Sequence, residues 1–135
     1  MYLLSKYLLL TTFAILTFGC NKEKCELYDY LVIGKWDWIE TVYPLTGKVL
    51  NPQTEGLTMA LEFSNQGLVK GYTNDSLCYS IDYRIEKYST DPDKYEFIFD
   101  SELRAQFRLV EDSMFLNSAY NPYDGGPVGL YLRLE

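Results

Sequence analysis

The sequence predicts an all-β domain of eight antiparallel strands closed into an up-and-down barrel, with an open β-sandwich as the alternative. Three observations lead there. Short apolar and aromatic runs recur along the chain, separated by turn residues. The turns are of hairpin length, so consecutive runs should pair with one another. The longest run also alternates: Leu77, Tyr79, Ile81, Tyr83 and Ile85 are apolar or aromatic, whereas Cys78, Ser80, Asp82, Arg84 and Glu86 fill the positions between. A period of two marks a half-buried strand, because a helix would scatter those odd positions around its circumference.

In chain order, the first run is Trp36 to Tyr43, ended by Pro44. Leu57 to Phe63 follows, then the turn Ser64-Asn65-Gln66-Gly67, where Gly67 is available for positive φ. Leu68 to Thr73 is closed by Asn74-Asp75, and Leu77 to Tyr88 is the alternating strand. Asp91-Pro92-Asp93 makes the next turn. Tyr95 to Asp100 presents Tyr95, Phe97 and Phe99 on one face, and Arg104 to Val110 presents Ala105, Phe107 and Leu109. Glu111-Asp112 leads into Ser113 to Ser118, and Gly129 to Leu134 is the last strand. No helix is expected in this domain. The expected inward set is Trp36, Trp38, Leu57, Met59, Leu61, Phe63, Tyr79, Ile81, Tyr83, Ile85, Tyr95, Phe97, Phe99, Phe107 and Leu109. In the last strand Leu130, Leu132 and Leu134 alternate, which would turn them inward and Arg133 outward.

The N-terminus stands apart. Lys6 precedes an uncharged, mostly apolar run from Tyr7 to Phe18, and Gly19-Cys20 follows. This is the layout of a secretory signal peptide over residues 1–19. The run is too short to span a bilayer, which takes about 20 apolar residues. Leu16-Thr17-Phe18-Gly19-Cys20 resembles a lipobox, the bacterial signal in which a cysteine after a small residue receives diacylglycerol before cleavage. Thr17 and Phe18 replace the usual leucine and small residue. That resemblance implies acyl chains such as palmitate on Cys20, a hydrophilic tether over 20–30 and a folded domain over 31–135. It also implies residence at the bacterial outer membrane within the cell envelope. Ordinary cleavage, with Cys20 a plain cysteine, is the alternative.

Composition narrows the function. Without Lys6 the chain carries 11 basic and 19 acidic residues, a formal net charge of −8, with no block of like charge. Nucleic-acid binding needs stripes of Lys and Arg and is not expected. The chain has no histidine. That removes the usual Ser-His-Asp and Cys-His pairs and His-containing zinc sites, so neither a metal nor a cofactor is expected. Carboxylates at Asp37, Glu40, Glu62, Asp82 and Glu86 are the candidates for acid–base work. All but Glu40 fall on expected outward faces, and the chain is not read as an enzyme. With Cys20 acylated, Cys25 and Cys78 form an even pair in an oxidising compartment, a candidate disulfide with two free thiols as the alternative.

Gly34-Lys35-Trp36 opens the first strand and Arg133 lies in the last. This arrangement resembles the lipocalins, in which a G-x-W begins strand one and a basic residue of the final strand packs over the tryptophan. It is also similar to the small exported bacterial lipoproteins described as lipocalin-like, whose W-x-W start is matched by Trp36-Asp37-Trp38. The resemblance implies structural roles for Gly34, Trp36 and Arg133, and a small apolar ligand inside the barrel. Trp38, Tyr79, Tyr83 and Tyr95 are the candidate ligand-binding residues, their hydroxyls and indole serving as polar handles in an apolar space. The alternative is a packed, ligand-free core and an envelope module that binds or inhibits another protein. The loop from Tyr120 to Pro127, with Tyr123 beside Asn121 and Asp124, is the candidate contact for that partner.

Overall fold

A computed structural model describes residues 22–87, 94–100, 102–117 and 126–134, with side chains described from Leu27 onward. The expected signal peptide, Cys20, Tyr120 and Tyr123 lie outside the described residues. The chain runs α1 (Lys22–Val32), β1 (Gly34–Tyr43), β2 (Lys48–Leu50), α2 (Pro52–Glu55), β3 (Met59–Phe63), β4 (Leu68–Thr73), β5 (Ser76–Lys87), β6 (Tyr95–Phe99), β7 (Arg104–Val110), β8 (Ser113–Asn117) and β9 (Val128–Arg133). Each strand pairs antiparallel with the next through β3 to β9, and β1 pairs with both β3 and β9, closing an eight-stranded barrel. The short β2 is an addition that pairs with the upper half of β1, Thr41 to Tyr43. Closure leaves the eight strands of the barrel with partners on both sides, which removes the sandwich alternative.

Local chemistry sets the turns. Asn74 and Asp75 both take positive φ (49° and 63°) between the paired residues Thr73 and Ser76. That is a two-residue primed turn, whose twist matches that of the flanking strands. At the opposite end, Ser64 Oγ accepts the N–H groups of Gln66 and Leu68, and Gly67 supplies φ 75°.

Two bulges decide which side chains reach the interior. On β1 the register shifts between Trp38, opposite Tyr131, and Glu40, opposite Leu130. Ile39 is the extra residue, and beyond it the inward face changes from even to odd numbers. Thr41 therefore faces in beside Gly129, and Glu40 falls on the outer wall with Leu130, correcting the expectation for Glu40. On β5, Gly71 pairs with Tyr79 but Tyr72 with Leu77, so Cys78 is the bulged residue.

The lower half of the barrel is a packed aromatic core. Phe63 stacks on Phe97 at 5.0 Å and Phe97 on Phe107 at 4.1 Å, while Tyr83 meets Phe63 edge-on at 5.1 Å. Val69, Ile85, Tyr95 and Met114 complete it. Such offset and edge-to-face pairs each add about 0.5–1.5 kcal/mol beyond their area.

Several expectations are corrected here. The stretch expected to be a tether is largely helical: α1 begins at Lys22, and Tyr28 and Val32, one turn apart, pack against the core. Tyr28 lies 4.1 Å from Tyr95 and 5.9 Å from Phe107 between ring centroids. The hydrophilic sequence of the helix reflects its single buried face. In β9 the inward residues are Gly129, Tyr131 and Arg133, opposite Leu116, Met114 and Trp36, while Leu132 and Leu134 are exposed. Arg133 thus shares the face of Trp36, and the expected conflict disappears. Finally, Cys78 is a free, exposed thiol, so the expected Cys25–Cys78 bridge is absent. Cys25 belongs to α1, which packs near the Tyr83–Ile85 part of β5. Cys78 sits on the bulge toward the other end of that strand, roughly 17 Å away at about 3.3 Å per residue.

Candidate functional site

The two ends of the barrel differ. At the closed end, α1 meets the start of β1 and the end of β9. Gly34 takes φ 125°, a conformation that L side chains rarely adopt, and so turns the chain from helix to strand. The last carbonyls of α1 need partners. Trp36 Nε1 donates to the Val32 carbonyl at 2.8 Å. Arg133 donates through Nη1 to the Ile33 carbonyl at 2.9 Å and through Nη2 to that of Leu31. Its guanidinium lies 4.4 Å from the Trp36 ring, a cation–π geometry. The last turn of α1 carries no basic residue of its own, so Arg133 supplies the positive charge that favours a helix C-terminus. Trp36 is fully buried. These contacts give Gly34, Trp36 and Arg133 one joint role: they seal the floor.

At the other end lies a cup of about 480 Å³, opening where β5, β7 and β9 begin. Its wall is built from Leu61, Phe63, Val69, Ile81, Phe99 and Leu116, with Ala105 and Gly129 keeping space open. Polar atoms are few: Thr41, Tyr79, Tyr131 and, at the rim, Arg104. Arg104 forms an ion pair with the buried carboxylate of Glu96. The volume and the ratio of apolar to polar lining suit one small molecule.

Two glycines shape the cup. A methyl group on Gly71 would fall on the ring of Tyr79, so that ring lies flat over β4. A methyl group on Gly129 would come within 2.8 Å of Tyr131 Cε2. Both phenols lie against the wall because the residue beneath has no side chain. Burial pushes Tyr131 up to about 12, with the neighbouring Tyr79 adding to it, and burial raises Tyr79 as well. Both stay protonated at neutral pH and act as hydrogen-bond donors.

The four candidate ligand residues part company. Tyr79 lines the cup. Trp38 is buried opposite Tyr131 and donates through Nε1 to Thr41 Oγ1 at 2.9 Å. Tyr83 sits toward the floor, where its hydroxyl donates to the Ser64 carbonyl at 3.1 Å; burial, then Asp29, push it up to about 12. Tyr95 lies in the core under Tyr28. Tyr131, Thr41 and Arg104 escaped the sequence reading. The bulge at Ile39 leaves no mark in a hydropathy pattern, and three leucines in β9 outweigh one tyrosine.

The carboxylates do not converge. Glu62 accepts from the Tyr72 hydroxyl at 2.6 Å, Glu86 pairs with Arg84 at 2.8 Å, and Asp82 is exposed. Among the described residues no group of acidic or cysteine side chains could hold a metal ion, and no helix is long and apolar enough to cross a membrane.

No protein-family model matches this chain, and no curated protein matches it in sequence. Fold and site therefore define a class on their own: a closed eight-stranded antiparallel barrel, sealed at one end by a helix and hollowed at the other into an apolar cup.

Proposed function

We propose that this protein is a lipocalin-like lipoprotein of the bacterial cell envelope, anchored through acyl chains on Cys20, that carries one small, largely apolar molecule in its barrel. The observation that carries the ligand reading is the cup of about 480 Å³ above the aromatic floor. A barrel of eight strands is just wide enough either to fill itself or to hold one small ligand, and here the described side chains do not fill the upper half. The Gly34, Trp36 and Arg133 arrangement supports the lipocalin-like reading. The apolar run ending in Gly19-Cys20 supports the anchor. Two acyl chains, at about 0.8 kcal/mol per buried methylene, suffice for stable attachment.

Uptake of the neutral fluorophore N-phenyl-1-naphthylamine by the full-length protein tests the ligand reading. The wild type should bind it, and Leu116→Trp, which fills the cup, should not while keeping its β-sheet circular dichroism. A wild type that binds no probe, and that carries no ligand in native mass spectra when purified from its own cells, would refute the carrier role. For the anchor, Cys20→Ser should move the protein from the membrane to the soluble fraction; unchanged fractionation would refute it.

A further inference from the structure

Of the four polar side chains of the cup, two are already engaged. Thr41 Oγ1 accepts from Trp38, and Arg104 is paired with Glu96. The hydroxyls of Tyr79 and Tyr131 are different. Both rings line the cup, each held flat over a glycine, and neither hydroxyl makes a hydrogen bond to another of the described residues. Tyr79 is nearly half exposed and neither hydroxyl is sealed from solvent, so water serves both in the empty cup; a molecule that fills the cup displaces that water, and the two donors then call for an acceptor on it. We infer that Tyr79 and Tyr131 form a two-hydroxyl clamp that selects an uncharged apolar molecule bearing a carbonyl-type oxygen, an ester or a ketone, over both a plain hydrocarbon and a carboxylate. This rests on the reading of the cup as a ligand site and adds the chemistry of the ligand.

The reasons are electrostatic. A carbonyl oxygen has two lone pairs and can accept from both phenols at once. A carboxylate would need a cation to offset its desolvation. Among the described residues the one cation lining the cup, Arg104, already neutralises the buried Glu96, and the chain carries a formal net charge of −7. A hydrocarbon would fill the volume but leave both hydroxyls without partners. The glycines contribute by position: with any larger residue at Gly71 the Tyr79 ring could not lie against β4.

The test compares methyl decanoate, sodium decanoate and undecane as competitors for N-phenyl-1-naphthylamine, on the full-length wild type and on Tyr79→Phe, Tyr131→Phe and the double variant. Removing a hydroxyl keeps the ring and the shape of the cup. Each single variant should bind the ester about fivefold to tenfold more weakly, as expected for one net hydrogen bond. Undecane should bind the double variant at least as tightly as the wild type, since no hydroxyl is left without a partner there, and this also shows that the variant is folded with its cup intact. An ester affinity unchanged in the double variant, or decanoate binding the wild type better than its ester, would overturn the clamp and leave the carrier reading standing. Failure of the wild type to bind the fluorophore or any competitor would overturn both.

Discussion

Arg133 makes three contacts at once: an approach to the Trp36 ring and hydrogen bonds to the carbonyls of Leu31 and Ile33. Cation–π contacts are worth about 0.5–2 kcal/mol, and hydrogen bonds from a charged donor about 1.5–3 kcal/mol. Arg133→Ala should therefore cost about 2–4 kcal/mol in urea unfolding, and Arg133→Lys should restore only part of it, since an ammonium cannot fork to two carbonyls. Trp36→Phe removes the indole donor and the larger ring face. In a double-mutant cycle the two changes should be non-additive by at least about 0.5 kcal/mol; simple additivity would show that the stacking contributes nothing. Gly71 gives a second prediction at this scale. Gly71→Ala leaves a backbone that alanine can adopt but forces the Tyr79 ring off the wall and into the cup. Probe affinity should fall severalfold while the fold persists. Unchanged affinity would mean that Tyr79 does not set the volume of the cup.

The helix α1 is the element whose role is larger than its sequence suggests. It is short and mostly hydrophilic, and alone in water a helix of this length is marginal. Its stability comes from docking: Tyr28 and Val32 join the core, and its end is held by Trp36 and Arg133. Tyr28→Ala removes a half-buried ring packed on Tyr95 and Phe107, and should cost about 2–3 kcal/mol in the same assay. Leu27→Ala, one position away and exposed, should change stability by less than about 0.5 kcal/mol. Equal effects would mean that the helix does not dock through Tyr28. The docked helix also fixes where the chain enters the barrel, beside the closed floor and away from the cup.

At the scale of the whole molecule, the tyrosines make the fold sensitive to alkali. Tyr83 and Tyr131 are both pushed up to about 12, chiefly by burial, against an ordinary value near 10. The native state therefore holds these protons more tightly than the unfolded chain does. Their contribution is fully present below pH ~10 and is lost as pH rises from there through about 12, because the unfolded state releases protons first. Stability measured by circular dichroism should be flat with respect to these groups at neutral pH and fall through that window. Tyr131→Phe should flatten the fall, and tyrosinate absorbance should appear together with loss of β-structure. A wild type that titrates all of its tyrosines near pH ~10 while remaining folded would contradict the burial of both rings.

Much of this architecture is legible in the residues themselves. Strand positions follow from the period-two pattern and from turn chemistry, because side chains of a strand alternate whatever surrounds them and Asn74-Asp75 or Ser64-to-Gly67 favour reversal locally. The pairing of Trp36 with Arg133 was readable as a motif. What the sequence by itself determined is thus the number of barrel strands, their order and the two residues that tie the ends together. Tertiary structure alone decided three other matters. Tyr28 and Val32 make a helix of a hydrophilic stretch only because a barrel floor exists to cover them. The bulges at Ile39 and Cys78 reset which residues face in, so that Thr41 enters the cup and Glu40 leaves it. The cup itself exists because Gly71 and Gly129, far apart in sequence, lie beneath Tyr79 and Tyr131. The docked helix needs the closed floor, the bulges need the register of the paired strand, and the cup needs both tyrosines on one interior; hydropathy records only a residue's preference for burial, not what it will be buried against.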